Sequence, residues 1–176
     1  MSENLSYPIG KFQKPEIIDT KQIAIWIDSI ESLPERISDE VKNLNTEQLD
    51  TPYRSGGWPV RQVIHHVPDS HINSYIRFHW TLTEENPKIK AYNEAAWAEL
   101  SYLKALDIQT SLDLLSIVHK RWVALLRSLK EADLDRTFVH PEDNNQYALR
   151  EVIGMYAWHG EHHLAHITNL KNRMNW

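Results

Sequence analysis

The sequence predicts an all-α bundle of four or five long helices. Long segments between breakers carry apolar residues at helical spacing. Only five of the 176 residues are glycine, so few of those segments are interrupted. No alternation of strand and helix supports an α/β sheet. The length fits one domain over residues 1–176 with an ordinary core.

Residues 1–18 read as an extended arm, because Pro8 and Pro15 discourage helix there. The first helix starts near Thr20 and carries Ile23, Trp26, Ile27, Ile30 and Leu33 on one face. Pro34 falls inside this pattern, before Ile37 and Val41, and predicts a break or kink. Asn45 to Leu49 reads as a capped short turn. Pro59 suits the first position of the second helix, which runs to about Thr83. Pro68 lies in its interior and predicts a kink near His66. A helix around Glu94–Leu106, possible in two pieces, follows the Asn86-Pro87 loop. Ser111 is expected to cap the fourth long helix, with Leu115, Trp122 and Leu126 on its apolar side. The pattern fails from Ala132 to Tyr147, where Phe138-Val139 and Gln146-Tyr147 suit a small hairpin. The last helix spans about Leu149 to Met174.

At 41% apolar and 24% charged, the composition is ordinary for a globular chain and excludes disordered and collagen-like classes. Cysteine is absent, which removes disulfides, thiolate zinc sites, iron–sulfur clusters and cysteine nucleophiles together. Any metal must be held by His, Asp or Glu. The run from Met1 to Pro8 has neither a basic nor an apolar signal region. No uninterrupted apolar run approaches the ~18 residues of a membrane span. A cytoplasmic protein with no membrane partner is therefore expected. The formal net charge is -5, and the densest cationic stretch is only Lys171 to Arg173. That balance argues against a nucleic-acid partner.

Ten histidines stand out, and position decides their meaning. Residues four apart on a helix lie about 40° apart in angle and about 6 Å along the axis, so His-x3-His is a two-point metal clamp. His159/His163 and His162/His166 both have that spacing. Leu149, Val152, Tyr156, His159, His163, His166 and Leu170 form nearly a heptad seam, with His162 one position off it. Unpaired imidazoles are costly to bury, and a metal removes the cost. Gly160, a poor helix former between them, leaves room for a neighbouring chain or ligand. A further ligand would come from the segment His65 to His71, where His66 lies nearer the edge of the apolar arc than His65. His66, Ser70, Asn73 and Arg77 make one polar stripe suited to a pocket inside a bundle. His71, His79, His119 and His140 read as ordinary surface or core histidines.

Several long runs together resemble the DinB/YfiT-like family of four-helix-bundle metalloproteins. They are Leu5 to Gly10, Leu49 to Arg54, Gly56-Gly57-Trp58, Val60 to Val63, His65-His66, Asp69 to His71, Asn73 to Phe78, and Trp158 to Ile167. The match is close to its YfiT branch of provisionally named metal-dependent hydrolases, and covers nearly the whole chain. The resemblance implies one divalent metal per chain, zinc or nickel, held by His66, His159 and His163. It also implies a homodimer in the cytoplasm. The choice of His66 over His65 rests mainly on it. Pro68 departs from the family pattern, which carries a small helix former there.

Three neutral imidazoles would leave coordination positions open, as catalytic zinc requires. Asp69 or Asn73 is expected to orient a ligand ring from behind. Metal-activated water would support hydrolysis of an ester or amide of a small molecule, with Asp69 the better base candidate and Glu161 pointing about 200° away from His159. Alternatively, the open position would bind a low-molecular-weight thiol such as bacillithiol for S-transfer, as in relatives within the wider family. No protein cysteine is needed for that. Arg77 could hold a substrate carboxylate in either case. A metal-binding stress protein without turnover is the reading from another class.

Overall fold

The computed structural model describes residues 5–176. Thr20–Val41 forms α1, capped by Asp19, whose side chain accepts from the Gln22 backbone N–H at 2.7 Å. Thr46–Leu49 forms the short α2, closed by a reciprocal Asn45–Gln48 capping box. Val60–Thr83 forms α3, with Pro59 at its N-cap, one place earlier than the sequence suggests. The expected helix around Glu94–Leu106 divides into α4, Glu94–Ala98, and a 3-10 turn, Ser101–Lys104. Ile108–Ser128 forms α5 and Glu131–Leu134 forms α6. Strands β1, Thr137–Val139, and β2, Gln146–Ala148, pair antiparallel with Phe138 opposite Tyr147. Leu149–Met174 forms α7.

Helix α1 packs on α5 and α7, and α3 packs on the same two, so α1 and α3 are diagonal in the bundle. Two apolar clusters fill it. One gathers Ile23, Ile27 and Ile30 with Phe78, Trp122 and Ile153. The other gathers Leu33, Ile37, Val63, Val67, Leu115 and Ile167. Between them lies a polar layer, in which His66, His71, His119 and His163 are all buried.

Two expectations are corrected. The break at Pro34 does not occur, because α1 runs unbroken to Val41. Apolar residues on both sides of Pro34 are buried against α5 and α7, and that packing offsets the lost helical bond. Ser111 does not cap α5. Asp107 does, accepting from the Gln109 backbone N–H at 2.9 Å. Ser111 instead lies buried one turn in, its hydroxyl 2.8 Å from His65 Nδ1. Helix α3 also runs unbroken through Pro68.

Of the proposed N-terminal arm, residues 1–4 lie outside the described residues. The remainder lies along α7. Trp158 Nε1 donates to the Gly10 carbonyl at 3.1 Å, and Lys14 pairs with Glu151 at 2.8 Å. The room left by Gly160 is filled by Leu33 of α1. No described helix is long and apolar enough to cross a membrane.

Candidate metal centre

The rotation of α3 sends adjacent histidines to different neighbours. His65 turns to Ser111 on α5, while His66 turns to α7. On α7 the one-turn spacing of His159 and His163 points both rings back at His66. Ring centroids lie 5.4 Å apart for His66–His159, 4.8 Å for His66–His163 and 4.5 Å for His159–His163. One nitrogen from each ring falls within 4.8 Å of the other two. The Nε2 atoms of His66 and His159 are 3.4 Å apart. A tetrahedral zinc with bonds of about 2.0–2.1 Å separates its nitrogens by about 3.3–3.4 Å, so that pair already has the required edge length.

Electrostatics favour the ligand form of all three. Burial holds His159 and His163 well below the ordinary imidazole range, helped by the neighbouring His66. Burial brings His66 down to about 4, with the proximity of His162 adding to it. Neutral imidazole presents a lone pair to a cation, so the cluster suits a divalent metal and repels a proton at neutral pH.

His159 joins two cavities. The larger, about 880 Å³, is lined by Ser70, Arg77, Tyr92, His140, Tyr156 and His159. The smaller, about 400 Å³, is lined by Tyr7, Tyr53, Trp58, His66, His159 and His163. Both volumes fall in the range of small-molecule sites. A metal at the cluster would therefore have an open side.

A model of the DinB superfamily matches residues 29–167. The chain belongs to the DinB superfamily. A Bacillus cereus relative, provisionally named a metal-dependent hydrolase, is 54% identical over 98% of this chain and 99% of its own. YfiT from Bacillus subtilis superposes with a TM-score of 0.96 at 49% identity, over 98% of this chain and 99% of its own. It is described as a probable metal-dependent hydrolase with an unusual four-helix bundle topology. A mycothiol-dependent maleylpyruvate isomerase shares the fold at a TM-score of 0.60 and 16% identity, covering 80% of this chain and 60% of that one.

Within this DinB fold, the remaining sequence candidates separate. Arg77 is 9% exposed, lines the larger cavity and leaves its Nε buried without a hydrogen-bond partner among the described residues. Asp69 and Asn73 line neither cavity. Asn73 donates its side-chain amide to the Asp69 carbonyl at 2.8 Å, which turns it along the helix instead of toward α7. Burial raises the Asp69 carboxyl to about 6, but it stands outside the histidine cluster. Glu161 points away, as its spacing requires, and is held by Ser29 at 2.6 Å and by Arg36. His79 is exposed beside the Tyr75 carbonyl, and His140 reaches the wall of the larger cavity.

The group behind His159 was not legible as expected. It is His71, whose Nε2 lies 3.1 Å from His159 Nδ1, in place of Asp69 or Asn73. His71 in turn meets His119 at 2.8 Å. Their signal was seam occupancy. His119 continues Leu115, Trp122 and Leu126 at steps of four, three and four, and His71 continues Val67 toward Phe78. The cavity residues Tyr7, Tyr53 and Trp58 sit on the arm and the loop before α3, where periodicity carries no information.

A second group, His162, His163 and His166, also brings nitrogens within 4.8 Å. His162 and His166 bond each other at 3.0 Å, with Trp158 stacked on the first and Tyr53 on the second.

Proposed function

We propose that the chain is a metal-dependent hydrolase acting on a small molecule that carries an anionic group, with His66, His159 and His163 holding one zinc or nickel ion. The observation that carries this reading is the convergence of three neutral imidazoles on a point open to a cavity. A closed structural zinc site would have four protein ligands, whereas three leave a position for water or substrate. A divalent metal there would supply Lewis acidity and a water acidified toward a pKa of about 7.

The chain's own residues do the rest. Arg77 is a buried guanidinium without a counter-ion among the described residues, in the wall of the same cavity as His159. An uncompensated buried charge is costly, and a bound carboxylate or phosphate would compensate it with a two-pronged contact. Burial pushes the Tyr92 hydroxyl up to about 12, so it stays protonated and can donate to a developing negative charge. Ser70 lies between Arg77 and the cluster along α3, its hydroxyl 3.5 Å from His159 Nε2.

One observation favours a second reading, thiol transfer. Neither histidine group includes a carboxylate, and Asp69, the base candidate, lines neither cavity. A thiol substrate needs less help from a base than water does, because its pKa near 8.5 lies far closer to neutrality.

The test is a comparison of zinc-loaded, nickel-loaded and metal-stripped protein. Each is offered carboxylate-bearing esters and amides, and separately a thiol with a bimane electrophile. Metal-dependent cleavage without thiol supports the hydrolase. Metal-dependent consumption of the bimane only with thiol replaces it with the transferase. No metal dependence in either assay overturns both.

A further inference from the structure

A buried carbonyl sets the proton positions of three histidines in a row. In an α-helix the carbonyl of Ile30 would accept from the N–H of residue 34. Residue 34 is proline and has no N–H. His119 Nδ1 reaches the Ile30 carbonyl from α5 at 2.6 Å. A carbonyl only accepts, so His119 carries its proton on Nδ1. Burial brings His119 down to about 4, so it is neutral and its Nε2 is a lone pair. That lone pair accepts from His71 Nδ1 at 2.8 Å. His71 is 0% exposed and meets no carboxylate among the described residues, so nothing compensates a second ring proton and its Nε2 accepts in turn from His159 Nδ1 at 3.1 Å. His159 is left with a lone pair on Nε2, and that atom faces His66 Nε2 at 3.4 Å.

We infer that His71 and His119 are positioning residues that fix His159 in the Nδ1–H tautomer and aim its Nε2 lone pair at the metal position. The inference rests on the metal-centre reading above for its purpose, though not for its hydrogen-bond polarity. With one proton on each ring, the order follows from the carbonyl end, and it delivers the nitrogen a metal needs. The opposite order would require the carbonyl to donate.

The surroundings keep the row in place. Trp122 and Tyr156 pack edge-on against His71, with centroids 5.7 and 5.2 Å away, so a ring flip would have to displace both. His71 is fully buried and His119 is 2% exposed, so water offers neither ring another partner. The row spans α1, α5, α3 and α7, and so ties the orientation of His159 to the packing of all four long helices.

The first test reads protonation directly. Nitrogen NMR of histidine-labelled, metal-free protein should show His119, His71 and His159 all protonated on Nδ1. A proton on Nε2 of any of the three overturns the inference whatever the metal does. The second test reads zinc affinity by chelator competition. Loss of such an outer partner typically costs about 10–100-fold in metal affinity, and His71→Phe should lose that much. His71→Gln, which can accept and donate at once, should recover most of it. Zinc affinity unchanged in a folded His71→Phe, beside loss in His159→Ala, overturns the positioning role while leaving the metal site standing. Zinc retained by His159→Ala overturns the metal-centre reading instead.

Discussion

Gly160 of α7 faces the side chain of Leu33 of α1 so closely that an added Cβ would overlap the leucine Cδ2. Leu33 is 1% exposed and belongs to the apolar cluster beside the histidine layer, so it has little space to retreat. The glycine costs about 1 kcal/mol in helix propensity, and the close approach of α1 is what it permits. Gly160 lies in the turn between His159 and His163. Gly154 repeats the device six residues earlier, where a Cβ would lie 2.7 Å from the Trp26 ring. We expect Gly160→Ala to destabilise the fold by about 1–3 kcal/mol, despite the better helix former, because overpacking outweighs propensity. Chemical denaturation of the metal-free protein measures this. A gain in stability would show that Leu33 moves aside freely.

The three candidate ligands should be individually necessary. His66→Ala, His159→Ala and His163→Ala each leave two imidazoles, too few for a stoichiometric site, so each is expected to lose bound zinc or nickel after dialysis. His162→Ala should keep it, because His162 Nε2 is engaged with His166 at 3.0 Å. Metal content per chain decides the matter. Loss in His162→Ala with retention in His66→Ala would move the site to the second histidine group.

Much of this centre is legible in the sequence because α7 is a long unbroken helix. Its seam from Leu149 to Met174 sets its bounds and places His159 and His163 inward without reference to any neighbour. The row behind His159 is not legible in the same way. His71 and His119 sit on separate helices, and only packing brings their rings together. Pro34 reads as a helix breaker from local rules. Its effect on Ile30 depends on a histidine 89 positions away, which no local pattern encodes. Asp69 reads from sequence as the better base candidate, but it lines neither cavity beside the cluster.

Arg77 separates stability from function. The residue is 9% exposed and its Nε is buried without a hydrogen-bond partner among the described residues, so an apolar replacement of similar length should help the fold. Arg77→Met is expected to raise stability by about 1–3 kcal/mol, while weakening an anionic substrate by roughly 10–100-fold in kcat/KM. Thermal melts of the metal-free protein and steady-state kinetics on a carboxylate-bearing substrate give the two readouts. A fall in stability together with unchanged kinetics would mean that the charge is satisfied within the protein and holds no substrate.

His119 makes the fold acid-sensitive, with a sign that follows from its partners. Burial is the larger influence and lowers it to about 4, while the Ile30 carbonyl opposes the shift by favouring a protonated ring. In the unfolded chain the same group titrates near 6.5. Between those values the unfolded state binds the proton and the folded state does not. The stability that His119 contributes is therefore complete above about pH 6.5 and is lost as pH falls toward 4. In His119→Gln the amide can still donate to Ile30 and cannot be protonated in this range. The metal-free wild type should lose stability more steeply than His119→Gln between pH 6.5 and 4, and the two curves should run parallel above pH 7. Denaturant midpoints across that window test the slope. Equal slopes would mean that His119 takes up a proton on Nε2 without leaving its place, and that the layer tolerates a charge facing His71.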